Sequence, residues 1–254
     1  MTSPALEVKN LSFSWDTSPV FENVSFSVNP KETVCIIGKS GCGKSSLFHV
    51  LSGLEKPSSG NVFLYGKDIT AKPGNISYML QKDLLLPNKR IIDNVCLPLK
   101  LKGKKNSEAR NEALPLLERF GLLEVKDAWP NQLSGGMRQR AAFLRTYLSG
   151  NKVFLLDEPF SALDALTRKD LRGWFVDILS NIDISTIMIT HDIDEALLVA
   201  DRIYVLQGFP NKNIPSKIVA NLTIERPDDK RDLFEFDSNF LHLKKEIFHL
   251  LESN

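Results

Sequence analysis

Gly38-Lys39-Ser40-Gly41-Cys42-Gly43-Lys44-Ser45 follows the apolar run Val34-Cys35-Ile36-Ile37 and leads into Ser46-Leu47-Phe48-His49-Val50-Leu51. A β-branched strand, a glycine-rich loop and a helix in that order match the phosphate-loop pattern of two glycines followed by Lys and Ser/Thr. The glycines let successive backbone N–H groups turn toward one anion, and the helix N-terminus adds its positive end. In such a loop Lys44 reaches the terminal phosphates and the Ser45 hydroxyl ligates magnesium. The stretch predicts a nucleoside triphosphate site.

The rest of the chain sets bounds on that site. Its 254 residues suffice for one substantial core and a smaller subdomain. With 32 basic and 31 acidic residues the net charge is +1, so charge does not suggest a nucleic-acid partner. The basic cluster Lys100 to Lys105 reads as a solvated loop. Cys35, Cys42 and Cys96 form no CxxC pair, which argues against a disulfide framework and for a reducing, cytosolic setting. Met1 to Glu7 lacks the basic start and apolar run of a signal peptide, and no stretch reaches 18 uninterrupted apolar residues.

Alternation marks strands at Leu6–Val8, Leu11–Trp15, Phe21–Val28 and Asn61–Lys67, with a short buried strand from Asn75 to Leu80 that ends at Gln81. From about Leu84 to Gly150 the pattern turns helical. Ser107, followed by Glu108 and Glu112, predicts the start of a helix reaching Phe120, which Pro115 should kink or split. Apolar β-branched runs return at Val153–Leu156, Thr186–Ile189 and Ile203–Leu206, as in parallel strands buried on both faces. The fold class is α/β: a nucleotide core interrupted by a helical insertion near 84–150. Residues 209–254 read as a tail, loop-like from Phe209 to Pro215. Its final helix carries the stripe Phe240, Leu243, Ile247, Leu250 and Leu251, expected to pack on the core.

Two further stretches carry chemistry. Val153–Leu156 ends in Asp157-Glu158-Pro159. Asp157, closing a buried strand, is placed to hold magnesium opposite Ser45, and Glu158 to polarise a water for in-line attack on the terminal phosphate. Leu133-Ser134-Gly135-Gly136-Met137-Arg138-Gln139-Arg140 places Ser134 at the cap of a helix whose N–H groups the glycines leave accessible. It suits either a phosphate-directed terminus or an ordinary capped helix. Cys42, among N–H groups at a helix start, suits either a thiol of lowered pKa that alkylation would reach or a small space-filler.

In order along the chain stand the phosphate loop, Gln81, Leu133 to Arg140, Leu155-Leu156-Asp157-Glu158-Pro159, Ser161-Ala162-Leu163-Asp164 and Thr190-His191-Asp192. That set closely resembles the ATP-binding subunits of ABC transporters, from about Leu6 to Gly208. The resemblance implies a phosphate-loop NTPase cassette, with a RecA-like parallel-sheet core, an N-terminal antiparallel β subdomain and an inserted α-helical subdomain. It implies ATP and Mg2+ as ligands and a head-to-tail homodimer enclosing two ATPs. Trp15 would stack on adenine, with Phe13 as fallback, and the loop from Gly38 to Ser46 would bind phosphates. Gln81 would touch the magnesium and the attacking water, Ser134 and Gly136 the γ-phosphate held by the other subunit. Asp164 would lie at the dimer seam and His191 would hold the γ-phosphate.

A finer likeness is to importers for nitrate, sulfonates, taurine and thiamine-precursor pyrimidines. It rests on Leu85-Leu86-Pro87, Asp93-Asn94-Val95, Phe160 to Arg168, Asp192-Ile193-Asp194-Glu195-Ala196 and Glu225-Arg226-Pro227. Asn88 replaces the Trp usual in that group, and Pro115 is unusual in its helix. The implied partners are an integral-membrane permease and, through it, an extracytoplasmic solute-binding protein. The implied location is the cytoplasmic face of the membrane. A soluble ABC ATPase acting on DNA or ribosomes resembles longer or tandem chains. A nonhydrolytic switch would lack Glu158 or His191, and exporter cassettes are commonly fused to membrane spans.

Overall fold

The computed structural model describes residues 3–161, 163–226 and 231–252, with the backbone alone at 231–233. Ala162 and Pro227 of the quoted motifs, and Met1 and Thr2 of the N-terminal reading, lie outside those residues. The strands are β1 (Leu6–Trp15), β2 (Ser18–Val28), β3 (Thr33–Ile37), β4 (Ser59–Leu64), β5 (Lys67–Asp68), β6 (Ser77–Met79), β7 (Val153–Asp157), β8 (Ser185–Thr190), β9 (Arg202–Phe209) and β10 (Ile214–Thr223). The α-helices are α1 (Lys44–Leu51), α2 (Ile91–Val95), α3 (Leu97–Leu101), α4 (Asn106–Arg119), α5 (Gly135–Tyr147), α6 (Ala165–Ser180), α7 (Ile193–Val199) and α8 (Ser238–Glu252). They fall into two compact units: residues 1–76, 152–158 and 181–254, and residues 77–151 and 159–180.

In the first unit the strands run in the order β5-β4-β1-β2-β10-β9-β3-β8-β7. The β3, β7 and β8 side chains are buried along their whole length, as their unbroken apolar runs require of strands covered on both faces. β3 lies parallel to both β8 and β9, and β7 parallel to β8. β1 pairs antiparallel with β2 and β4, with register shifts where Asn10 takes a φ of 49°. α1 buries Leu47, Phe48, Val50 and Leu51. On α8, Phe240 and Ile247 are buried, while Leu241 and Phe248 are exposed.

β10 was not expected. Phe209 to Pro215 holds a short 3-10 turn, but strand begins at Ile214 and runs through the part read as tail. β10 pairs antiparallel with β9 and meets β2 in parallel at Ser216 opposite Phe21, joining the two halves of the sheet.

The second unit is helical apart from β6. Its centre is aromatic: Phe143 of α5 packs on Phe120, Trp174 and Phe175, and Phe160 packs edge-on to Phe175 at 5.5 Å. Two expectations bear on α4. The helix starts at Asn106, one residue before Ser107, because Glu108 reaches back to accept the Lys105 N–H at 3.2 Å. It also continues through the exposed Pro115 without splitting there.

Candidate functional site

The site residues of the first unit gather around the turn from β3 into α1. β3 ends at Ile37 and the chain loops through Gly38 to Gly43 before α1 begins. Gly43 caps the helix at φ 96°, a conformation that glycine adopts freely. The first helical bond runs from the Leu47 N–H to the Gly43 carbonyl at 2.9 Å, so the N–H groups of the first turn lack intrahelical acceptors. Lys44 is buried, and its Nζ donates to the carbonyls of Gly38 at 2.7 Å and Lys39 at 3.1 Å. Ser40, Gly41 and Ser45 are exposed. The Cys42 N–H donates to the Lys39 carbonyl at 3.2 Å, and the N–H groups of the first turn that lack intrahelical acceptors, with the Lys44 ammonium beside them, are donors of the kind that an anion can take.

Of the two readings of Cys42, burial favours the space-filler. It is 1% exposed, and burial pushes its thiol pKa up despite the nearby Lys44 ammonium. Desolvation of the thiolate outweighs the helix N-terminus. Cys35 and Cys96 are likewise buried and free, and burial raises both thiols.

Trp15 closes β1 with 45% of its surface exposed, and its Nε1–H donates to Ser46 Oγ at 3.3 Å. Phe13, 4.9 Å away between ring centroids, is buried, so of the two rings only Trp15 is open to a planar ligand.

Asp157 ends β7 as a buried carboxylate. Glu158 follows at φ 43°, a left-handed conformation costly for such a side chain, and its N–H donates to the Ile189 carbonyl at 3.0 Å. Its Oε1 lies 3.0 Å from His191 Nδ1. Phosphate loop, Asp157, Glu158, His191 and Trp15 thus sit in one compact unit. The His191 turn has a support that the sequence reading missed. The Thr190 hydroxyl donates to buried Glu195 at 2.7 Å, and Asp192 Oδ1 accepts the N–H groups of Asp194 and Glu195. Asp192 followed three residues later by Glu195 is a helix-cap spacing that could have revealed it.

The second unit carries Gln81, Ser134, Gly135, Gly136 and Asp164. Ser134 caps α5, its Oγ accepting the Met137 N–H at 3.3 Å. At Gly135 an added Cβ would meet Leu163 Cδ2 at 2.7 Å. Gln81 Nε2 donates to Ser161 Oγ at 3.2 Å. The segment after Gln81 is held by Arg145, which no local signal marks and which donates to the carbonyls of Asp83 and Leu84, and by Arg138 of the quoted glycine motif, whose Nε donates to Asp83 Oδ2 at 3.2 Å. Asp164 accepts the Thr167 N–H at 3.0 Å, and hydrogen bonds from the Thr167 hydroxyl and N–H hold its carboxyl below the usual range.

Among the described residues no helix is long and apolar enough to cross a membrane, and no group of three or more His, Cys, Asp or Glu side chains is placed to hold a metal.

Comparison with known proteins agrees with this geometry. A family model described as ABC transporter matches residues 21–161. The formylaminopyrimidine import ATP-binding protein ThiZ of Halalkalibacterium halodurans is 38% identical over 254 residues, covering 97% of this chain and 100% of that one. The aliphatic sulfonates import ATP-binding protein SsuB 1 of Shouchella clausii is 38% identical over 232 residues, 91% of this chain and 87% of that one. Among solved structures, the dimeric post-hydrolysis state of the ATP-binding cassette MJ0796 bound to ADP and Pi matches with a TM-score of 0.72. It is 25% identical and covers 87% of this chain and 100% of that one. With a family model matched over more than half of its length and relatives 38% identical across nearly all of it, the chain belongs to the ABC transporter family of ATP-binding ATPases.

Proposed function

We propose that this chain is the ATP-hydrolysing subunit of an importer, working as a head-to-tail homodimer on a membrane permease that an extracytoplasmic solute-binding protein loads. The observation that carries the hydrolytic part is Glu158, held on strained backbone 3.0 Å from His191, in the same unit as the phosphate loop.

In this reading the N–H groups of Gly41 to Ser46 bind phosphate oxygens, with Trp15 stacking on the base. Lys44 exchanges its two carbonyl partners for phosphate. Glu158 accepts the proton of a water whose oxygen bonds to the γ-phosphorus. The β–γ bridging bond breaks, and its electron pair leaves with ADP. His191 orients the γ-phosphate. The donors suit magnesium, a hard cation that prefers a few protein oxygens with water and phosphate for the rest: the Ser45 hydroxyl and the Asp157 carboxylate. Bound there, it would neutralise charge on the phosphate oxygens. The part expected of Gln81 rests on the resemblance alone. Ser134, Gly135, Gly136 and Asp164 serve the partner's nucleotide across the dimer seam.

The importer reading, peripheral on the cytoplasmic face and without nucleic acid, is supported by the relatives that import formylaminopyrimidine and sulfonates. The expected cargo is of the nitrate, sulfonate, taurine or thiamine-precursor pyrimidine type. Co-purification from membranes with a tagged chain tests it by mass spectrometry. A multi-span permease in the eluate supports the proposal, and ribosomal or DNA-repair proteins in its place would overturn the transport reading.

A further inference from the structure

Three strands close on the phosphate loop from behind. A Cβ on Gly38 would meet the Leu206 carbonyl of β9 at 2.5 Å, and one on Gly43 would meet Val20 Cγ1 of β2 at 2.5 Å. Between β2 and β9 runs β10, and from it Ser216, wholly buried, donates its hydroxyl to the Cys42 carbonyl at 2.6 Å. Ser216 is itself wedged. A Cβ on Gly208 would lie 2.3 Å from Ser216 Cα and 2.4 Å from its Oγ.

The Cys42–Gly43 peptide is planar and trans, so its C=O and N–H point in opposite directions. A bond that fixes the Cys42 carbonyl toward β10 therefore fixes the Gly43 N–H away from β10. Gly43, at φ 96°, has no side chain to resist rotation of that peptide. The hydroxyl supplies the restraint that the glycine lacks.

We propose that Ser216 is a positioning residue for nucleotide binding, holding the Gly43 N–H in the orientation that donates to a phosphate oxygen. The inference rests on the loop being the nucleotide site, and it assigns a role in that site to a strand outside the sequence motifs.

The test compares the full-length chain with Ser216→Ala, Ser216→Cys and Lys44→Ala, measuring ADP affinity by calorimetry, kcat and KM for ATP, and thermal midpoints. Ser216→Ala should raise KM and the ADP Kd by about tenfold with kcat within about a factor of two, and Ser216→Cys, a weaker donor, should fall between. A native KM and Kd in Ser216→Ala, or a lowered midpoint with KM unchanged, would overturn the proposal. Should Ser216→Ala not fold, Ser216→Cys decides alone: an intermediate KM supports it and a native one overturns it. Lys44→Ala should lose nucleotide binding. If it binds normally, the nucleotide-site reading fails instead.

Discussion

At the scale of single residues, the backbone of Glu158 is the most informative feature of the site. A φ of 43° costs a residue of this kind about 1–3 kcal/mol. The bonds to the Ile189 carbonyl and His191 hold it there. Glu158→Gln preserves shape and removes the basic oxygen. Phosphate release should fall by about 10²- to 10⁴-fold while ATP still binds. Near-native hydrolysis would remove Glu158 from the base's role. Cys42 yields the opposite kind of prediction. Its thiol is buried and its pKa raised, so iodoacetamide at neutral pH should leave it unlabelled in the native protein and label it after denaturation. Peptide mass spectrometry reads both states.

Among the elements, the segment after Gln81 shows how a loop becomes a fixed device. Asn94 of α2 is wholly buried. Its Oδ1 accepts the Leu86 N–H at 2.7 Å, and its Nδ2 donates to the carbonyls of Leu86, Lys89 and Arg90. Asn94→Ala strands these groups and should cost about 1–3 kcal/mol in urea unfolding. Beside it, burial raises the Asp93 pKa, but hydrogen bonds from Lys100 and Arg110 outweigh that and leave the carboxyl below its usual range. A depressed folded pKa contributes stability above the unfolded value of about 3.9 and loses it as pH falls through the folded one. Asp93→Asn should therefore be less stable than the native chain at pH 7, with a smaller difference at about pH 3. Denaturation midpoints at the two pH values check it, and an equal deficit at both would contradict the ion-pair account.

For the whole molecule, what could be read from sequence was what local chemistry determines. The strand, loop and helix from Val34 to Leu51 carry their own geometry, and the buried runs of β7 and β8 are legible because both faces are covered. β10 was not legible. Its partners β2 and β9 decide its place, and Ser216, buried and polar, hides the alternation of that segment. Cys42 stayed ambiguous because sequence shows the helix end but not the burial that overrides it. Arg145 and the partner of Arg138 were missed because each arginine meets Asp83 or Leu84 far along the chain. Assembly supplies a further prediction. Glu158→Gln with ATP should sediment as a dimer and with ADP as a monomer. A monomer in both would count against the head-to-tail pairing.

The place of β10 also bears on how the chain is made. β2 emerges early from the ribosome, yet the strand that covers its free side is among the last to appear. Until then the nascent chain presents an unpaired edge, the kind of surface that recruits neighbouring chains. Synthesis halted before residue 214 should leave a chain whose first hairpin forms but whose nucleotide loop lacks the Ser216 bond to the Cys42 carbonyl. Nucleotide added during refolding would accordingly act late, selecting chains in which the last strand has already slotted between the first strands and the core.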